Sequence, residues 1–318
     1  RRGDQIPLHI VHTNQQVHGL IALDLTTGIV NALQAKSIII ADGGYDGIWN
    51  GRTIGLGLDL ALRTGMPVRN LEFTSSSPLT VSGTNVVLPI GMLADGATLH
   101  HPNGNPLDVE EFADVNKLAS AVGENGIVLD ARSMGDSSVW WAQTSEIIST
   151  RLGINTAKQT IPISSQVSTT LGGITTDEHG RAISGKWSRW FTGLYAAGDA
   201  ACSGIHGAGM VAGNRLLDAM ASSAAAGMHA AKFAAGVNFS GRTALETYLG
   251  VAEADLDFDM AGAEEGPVQR AGPLFAKLTQ IMNTHLGKER DGTGIDTAIE
   301  QLTELQSAAD KLHIDDNS

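Results

Sequence analysis

The chain has 318 residues, of which 42% are hydrophobic and 17% charged, a balance that supports a packed interior and excludes general disorder. Its 21 basic residues against 34 acidic ones leave a net charge of −13, which repels phosphate backbones and argues against nucleic acid as a partner. A single cysteine, Cys202, excludes an internal disulfide and any cysteine-rich zinc or iron–sulfur site, while 38 glycines announce tight turns and close backbone approaches.

The length predicts two or three structural units. Residues 8–41 read as β structure: strands at Leu8–His12, Leu20–Leu25, Ile29–Ala35 and Ser37–Ala41, with a hairpin turn at Thr26-Thr27-Gly28. The last strand is continuously apolar, the pattern of a strand buried on both faces, and it runs into Asp42-Gly43-Gly44. A buried strand that ends in a glycine pair is where an α/β sheet meets a ligand; a simple tight turn is the plainer reading. A short helix is expected over Gly57–Thr64, stopped by Gly65 and Pro67. Residues 70–165 are mixed, with turn clusters at Ser75-Ser76-Ser77-Pro78 and Pro102–Pro106, helices over Glu110–Ala121 and Ser138–Arg151, and a strand at Gly126–Leu129. A second strand running into glycine follows at Leu194–Ala197, before Gly198-Asp199. The glycine-rich loop Gly204–Gly213 then leads to a long helix from Asn214 to about Ala235. From Leu245 onward the pattern is helical, clearest over Ala271–Leu286 and Asp296–Leu312. No stretch approaches the roughly 20 apolar residues of a membrane span. The run Ala219–Gly236 is interrupted by Ser222, Ser223, His229 and Lys232.

Two local motifs read as decoys. Gly180–Trp187 resembles a phosphate-binding loop, but its last position needs Ser or Thr to hold magnesium and carries Trp187, in a stretch that reads as a hairpin. Gly207–Ala212 fits a dinucleotide fingerprint, yet it lies too far from the preceding strand and lacks the acidic residue that normally follows. The histidines make no metal site. His100 and His101 are adjacent, His9 and His12 share a strand on opposite faces, and His18 sits near a turn, so all five are expected at exposed polar positions. His206 differs, because it lies inside the glycine-rich loop between a buried strand and a long helix.

The combination over residues 194–218 carries the most chemistry. Asp199 at a strand end can accept hydrogen bonds from ribose or ribityl hydroxyls, and the glycine-rich loop admits a flat ring or a phosphate to the backbone. The helix beginning at Asn214 offers unpaired N–H groups and the positive end of its dipole.

These residues resemble a known family. Gly193–Ala200, Ile205-His206-Gly207-Ala208 and Gly213–Asp218 are similar to segments of the flavoprotein subunits of succinate dehydrogenase and fumarate reductase, relatives of L-aspartate oxidase. The likeness covers nearly the whole chain: Ala41–Gly44 resembles the family's Ala-Thr-Gly-Gly turn, residues 55–72 its next helix, Leu171–Ile174 its Met-Gly-Gly-Ile segment, and residues 274–318 its C-terminal helices. The resemblance implies an α/β fold, α+β overall. A partial, doubly wound FAD-binding domain with a β-meander (1–74 and 166–236) would be split by a capping domain (75–165) and followed by a helical domain (240–318). It implies FAD as cofactor, hydride transfer between a small-molecule substrate and the flavin, and electrons passed to an iron–sulfur subunit. It also implies a cytoplasmic location, or a peripheral one on the inner face of a membrane. The residues expected at the cofactor are Gly43, Gly44, Gly198, Asp199, His206, Gly213, Asn214, Arg215 and Leu216; no catalytic residue is assigned. The chain, which opens on Arg1-Arg2-Gly3-Asp4, reads as an internal piece lacking the family's first βαβ unit, and is expected to hold FAD weakly or not at all as it stands.

Within the matched part, positions that the family gives to substrate-binding or proton-delivering His and Arg carry Ser77, Leu93, Ala121, Ser168 and Met210, and its Thr-Glu pair is Pro89-Ile90. Asp199 stands for a Glu, Leu56 for an Asp that binds FAD, and Arg215 for a Ser near the flavin. Two arginines are the natural bidentate clamp for a dicarboxylate, and neither Met nor Ala replaces one. Arg215 is the best-placed substitute cation and Arg132 a poorer one. The reading that follows is an FAD-dependent oxidoreductase with altered substrate residues. Its alternatives are a non-catalytic flavoprotein-like structural or assembly subunit and a nicotinamide enzyme using the 207–212 fingerprint.

Overall fold

The computed structural model describes residues 3–107, 115–123, 126–185, 189–211, 213–261, 270–287 and 289–310. Alternating apolar residues at the start of the chain make a meander. Strands β1 (Gln5–Thr13) and β2 (Gln16–Asp24) pair antiparallel, and β3 (Val30–Gln34) pairs antiparallel with β2. The β1–β2 turn places Asn14 and Gln15 at φ 49° and 62°, the conformation a two-residue hairpin requires. The next strand, β4 (Ile38–Ile40), joins the meander through a later one, and helix α1 (Leu56–Arg63) and strand β5 (Val68–Arg69) follow it. Ile39 is 42% exposed, so β4 is open on one face rather than buried on both.

The middle of the chain forms a four-stranded antiparallel sheet in the order β6-β9-β8-β7. Its elements are β6 (Thr74–Val81), α2 (Gly91–Ala94), β7 (Thr98–His100), α3 (Val115–Val122), β8 (Ile127–Asp130), α4 (Ala142–Leu152) and β9 (Ile161–Thr170). Leu79, Met92, Leu118, Leu129, Ile148 and Ile163 fill a core of its own. The expected turn at Ser75–Pro78 is instead the body of β6. Pro78 falls in the irregularity between the paired residues Ser77 and Thr80, where the ladder tolerates a residue without an N–H. The expected helix at 110–121 is seen only from Val115, and residues 108–114 lie outside the described part. The helix expected from Ser138 starts at Ala142, after a 3₁₀ segment over Arg132–Trp141 that Gly135 interrupts.

The chain then returns to its first layer. Strands β10 (Gly173–Thr175), β11 (Arg181–Ile183), β12 (Trp190–Ala196) and β13 (Ala201–Cys202) precede the 23-residue helix α5 (Asn214–Gly236). The hairpin read in place of a phosphate-binding loop is β11 antiparallel to β12; Lys186 and Trp187 lie outside the described residues, as does Ala212 of the fingerprint. β12 is the hub of the six-stranded sheet, parallel to β4 and β2 and antiparallel to β11. A small sheet, β13-β10-β5, lies beside it. Ile10, Ile40, Leu60, Phe191 and Leu194 pack between these layers. Helix α5 lays Ala226 and Ala230 against Tyr195 and Ala197 of the opposite face.

Three helices close the structure: α6 (Arg242–Ala261), α7 (Ala271–His285) and α8 (Gly292–Ala309). Leu245 and Ala252 of α6 cover Val11 and Ile21 of the meander. Asp291 caps α8, its side chain accepting from the Gly294 N–H at 2.8 Å, so this helix starts before the expected Asp296. Trp49 ties α7 to the turn after β4: its indole N–H donates to the Met282 and Leu286 carbonyls at 3.2 and 2.9 Å. The Tyr45 hydroxyl, buried nearby and raised in pKa by that burial, donates to the Leu71 carbonyl at 2.7 Å.

Candidate functional site at the carboxyl ends of two parallel strands

Strands β4 and β12 run side by side in parallel, with Leu194, Tyr195 and Ala196 opposite Ile38, Ile39 and Ile40. The turns that leave them, Asp42-Gly43-Gly44 and Gly198-Asp199, therefore emerge together, in the crevice where open α/β sheets bind ligands. A methyl built on Gly44 would collide with the Thr170 hydroxyl and come within 3.7 Å of the Asp199 Cβ, so Gly44 sits between these two residues. A methyl on Gly43 would lie 2.7 Å from the Thr53 Cγ2. Side-chain room at both glycines is thus taken by the protein, while their N–H groups have no partner among the described residues. Asp42 turns toward α1 and accepts from the Gly57 N–H at 2.6 Å. A carboxylate thus reaches the α1 N-terminus from the preceding turn, although Leu56 opens the helix.

At the second turn, Gly198 has φ +61° and its N–H donates to the Ser222 hydroxyl at 3.0 Å, which pins the turn to α5. Asp199 Oδ2 accepts from Arg215 Nε at 2.6 Å and lies 2.5 Å from a second guanidinium nitrogen. Its Oδ1 has no partner among the described residues. Arg215 also reaches the Ser168 carbonyl at 3.5 Å. His206 lies 3.2 Å from Asp218 Oδ2, so its ring is tied to the first turns of α5.

Helix α5 itself begins bare. Gly213 holds φ +83° at the N-cap, no side chain caps the helix, and no atom stands within 4 Å of the place a Gly213 Cβ would take. Asn214 donates back to the Val211 carbonyl at 3.1 Å, and the first-turn N–H groups after it have no partner among the described residues. Around this end Ile205, Val211, Leu216 and Leu217 are 72%, 69%, 69% and 67% exposed. Free donors, a positive helix end and uncovered apolar side chains beside a strand-end carboxylate fit a group that joins a flat ring to hydroxyls and phosphates.

A cavity of about 340 Å³ opens next to this end. Arg215 lines it from α5, Asn50 and Arg52 from the turn after β4, Asn85 from the loop after β6, and Gln166 and Ser168 from β9. Arg52 was not legible as a site residue. Its loop is shaped by Asp46, only 3% exposed, which accepts from the Arg52 N–H at 2.8 Å and from the Thr53 hydroxyl. Of the five positions where the resemblance expects His or Arg, Ser168 lines the cavity. Ser77 is buried in β6, Leu93 belongs to the core of the four-stranded sheet, Ala121 is exposed on α3, and Met210 lies half-buried in the glycine-rich loop. Arg132 lines a different cavity, in the four-stranded unit, and is paired with Asp130 at 2.7 Å.

His18 corrects an expectation. It is 6% exposed rather than at the surface, bonded to the Thr13 hydroxyl at 2.5 Å and to the Ser240 hydroxyl at 2.9 Å. Burial and the neighbouring His18 lower the pKa of His12. Among the described residues no group of three or more His, Cys, Asp or Glu is placed to hold a metal, and no helix is long and apolar enough to cross a membrane.

A family model described as FAD binding domain matches residues 5–216. The chain belongs to this family. FAD is accordingly its cofactor, and the residues gathered around the α5 N-terminus fit that group. The chain is 24% identical over 356 aligned positions to the fumarate reductase flavoprotein subunit of Haemophilus influenzae, covering 100% of this chain and 58% of the relative. It is 29% identical over 294 positions to the L-aspartate oxidase of Agrobacterium fabrum, covering 86% of this chain and 51% of the relative. Among solved structures, a quinol fumarate reductase chain from E. coli superposes with a TM-score of 0.84 at 22% identity, over 99% of this chain and 58% of that one. The chain therefore spans little more than half the length of the curated relatives it matches.

Proposed function

We propose that this chain is the flavin-binding part of an FAD-dependent oxidoreductase that moves a hydride between a substrate C–H bond and the flavin. The observation that carries the reading is the uncapped α5 N-terminus, set between the Asp199 carboxylate and the arginine-lined cavity. The bound flavin supplies a two-electron hydride acceptor and donor. In this reading residues 1–74 and 166–236 form the FAD-binding unit, 75–165 a capping unit and 240–318 a helical unit. Gly43 and Gly44 offer two free N–H donors, and Asp199 offers Oδ1 to a hydroxyl while Arg215 holds Oδ2. Gly198 sets the turn that aims Asp199, and His206 holds the glycine-rich loop against Asp218. Gly213, Asn214, Arg215 and Leu216 bring a positive helix end and an apolar surface to the ring.

The substrate differs from that of the named relatives. Ser77, Leu93, Ala121, Ser168 and Met210 supply neither a bidentate cation nor a proton-delivering one, so the full-length protein does not turn over succinate or fumarate. Electrons pass to an iron–sulfur subunit, in keeping with relatives that are named flavoprotein subunits. Purified full-length protein tests each part. One FAD per chain is expected, and a flavin-free protein that takes up no added FAD would overturn the cofactor site. Turnover above about 1 s⁻¹ of succinate with a dye acceptor, or of fumarate with reduced viologen, would overturn the substrate statement.

A further inference from the structure

The cavity beside α5 is lined by two cations, and only one of them lacks a partner among the described residues. Arg215 is committed to Asp199 at 2.5 and 2.6 Å. The Arg52 guanidinium has no hydrogen bond or ion pair among the described residues, although its backbone N–H is held by Asp46. The wall thus carries Arg52, Arg215 and Asp46, and once the Asp199 partner of Arg215 outside the lining is included the formal charges cancel. The other polar side chains are neutral: the amides of Asn50, Asn85 and Gln166 and the hydroxyls of Thr80 and Ser168. A volume of about 340 Å³ is within the range of small-molecule sites.

We propose that this cavity takes a singly charged organic acid, with Arg52 holding its one carboxylate and the amide-lined wall holding the uncharged remainder. The inference rests on the proposed flavin site at the α5 N-terminus, and takes the cavity that Arg215 of this helix lines as the place of the substrate. A planar guanidinium binds one carboxylate in two parallel hydrogen bonds, and Arg52 is available to do so without breaking an existing pair. A second carboxylate on the same molecule finds no free cation. It meets neutral amides and the buried Asp46 carboxylate, or else takes Arg215 away from Asp199 and leaves that carboxylate unpaired. A fully uncharged ligand leaves Arg52 unused. Arg52 therefore sets the charge class of the substrate, and the amides of Asn85 and Gln166 in the same lining discriminate its uncharged end.

The test is a set of titrations on the full-length, FAD-loaded protein with matched probes. Crotonate and cinnamate are the monocarboxylates, fumarate is the dicarboxylate, and crotonamide and cinnamamide are the neutral controls. Binding is followed by calorimetry and by the change in the flavin absorption spectrum. A monocarboxylate is expected to bind at least about tenfold more tightly than fumarate, the value of one charge-assisted hydrogen bond. Arg52→Gln is expected to weaken it about 10–100-fold while leaving the neutral amide unchanged, and Arg52→Lys to keep part of the affinity. Arg132→Gln, in the other cavity, should change nothing. Arg52 is exposed, so the variants should keep the wild-type unfolding midpoint, which is measured alongside. Fumarate binding as tightly as the monocarboxylates, or Arg52→Gln binding them unchanged, overturns the inference while the spectral change keeps the cavity as the substrate site. A flavin spectrum that no probe perturbs overturns that underlying reading and the inference with it.

Discussion

Two sets of glycines lie around this site, and they exist for opposite reasons. At Gly43, Gly44, Gly172 and Gly173 every added methyl would strike protein: Thr53, Thr170, the Asn70 backbone and the Ala200 carbonyl. At Gly204, Gly207 and Gly213 nothing lies within 4 Å of the same position. The first set is a packing demand, where strands and turns approach closer than a side chain allows. The second set borders open space at a helix N-terminus with exposed Val211 and Leu216, the expected appearance of a surface that a ligand covers. A glycine next to a strand end is therefore not by itself evidence of a ligand; what surrounds its missing side chain decides the matter.

Substitutions at the two sets separate these roles. Gly172→Ala should have the largest effect, because its methyl would overlap the Asn70 carbonyl group, and backbone on both sides of β10 cannot withdraw. A loss of about 3 kcal/mol or more is expected in urea unfolding, above the usual range for overpacking a side-chain core. A loss under 1 kcal/mol would break the comparison. Gly44→Ala should cost about 1–3 kcal/mol, since its obstacle is the Thr170 hydroxyl rather than backbone. That hydroxyl accepts from the Tyr45 N–H at 3.2 Å, so the cost should be strongly non-additive with Thr170→Ala.

The packed set extends to Gly180, whose missing side chain leaves 2.7 Å to the Ala226 Cβ of α5, and Asp177 closes the turn that puts it there. Asp177 accepts from the His179 and Arg181 N–H groups at 3.0 Å each, from Arg181 Nε at 2.6 Å and from the Trp190 indole at 2.9 Å. Its burial favours the protonated acid, but the hydrogen bonds from Arg181 and His179 outweigh it and hold the pKa below the ordinary carboxylate value. A depressed folded pKa stabilises above the unfolded value, about 3.9, and that stability fades as pH falls through the folded value. Asp177→Asn should accordingly cost about 1–2 kcal/mol at neutral pH and flatten the acid limb of a stability-versus-pH curve below about pH 4. An unchanged acid limb would remove Asp177 from this role.

The smallest stability effect belongs to the open set. Gly213→Ala meets no atom, so its cost is the strain of φ +83°, about 1 kcal/mol. The comparison is sharpened by a second readout: in the full-length protein FAD affinity should fall by more than the stability change explains, whereas Gly44→Ala should move the two together. Equal behaviour of both variants in a flavin titration would erase the distinction.

Local chemistry was written in the residues themselves. The meander, the parallel strands ending in Gly43-Gly44 and Gly198-Asp199, and the helix from Asn214 all follow from apolar periodicity and from glycine at the breaks, interactions that span a few residues. The resemblance to FAD-binding flavoproteins lay in those same short segments, which is why cofactor class could be read in advance. What waited for the tertiary structure was set by partners far along the chain. Ser75–Pro78 looked like a turn until β9, about ninety residues later, supplied the pairing that makes it a strand. His18 looked exposed because Ser240, which buries and bonds it, lies 222 residues away. Arg52 was one arginine in an Asn-Gly turn, and only the approach of β9 and α5 placed it in a cavity with Arg215. Charge pairing across such distances leaves no periodic trace in a sequence, because one contact between remote residues constrains neither neighbour's type, and so the free and the committed arginine could be told apart only in the folded molecule.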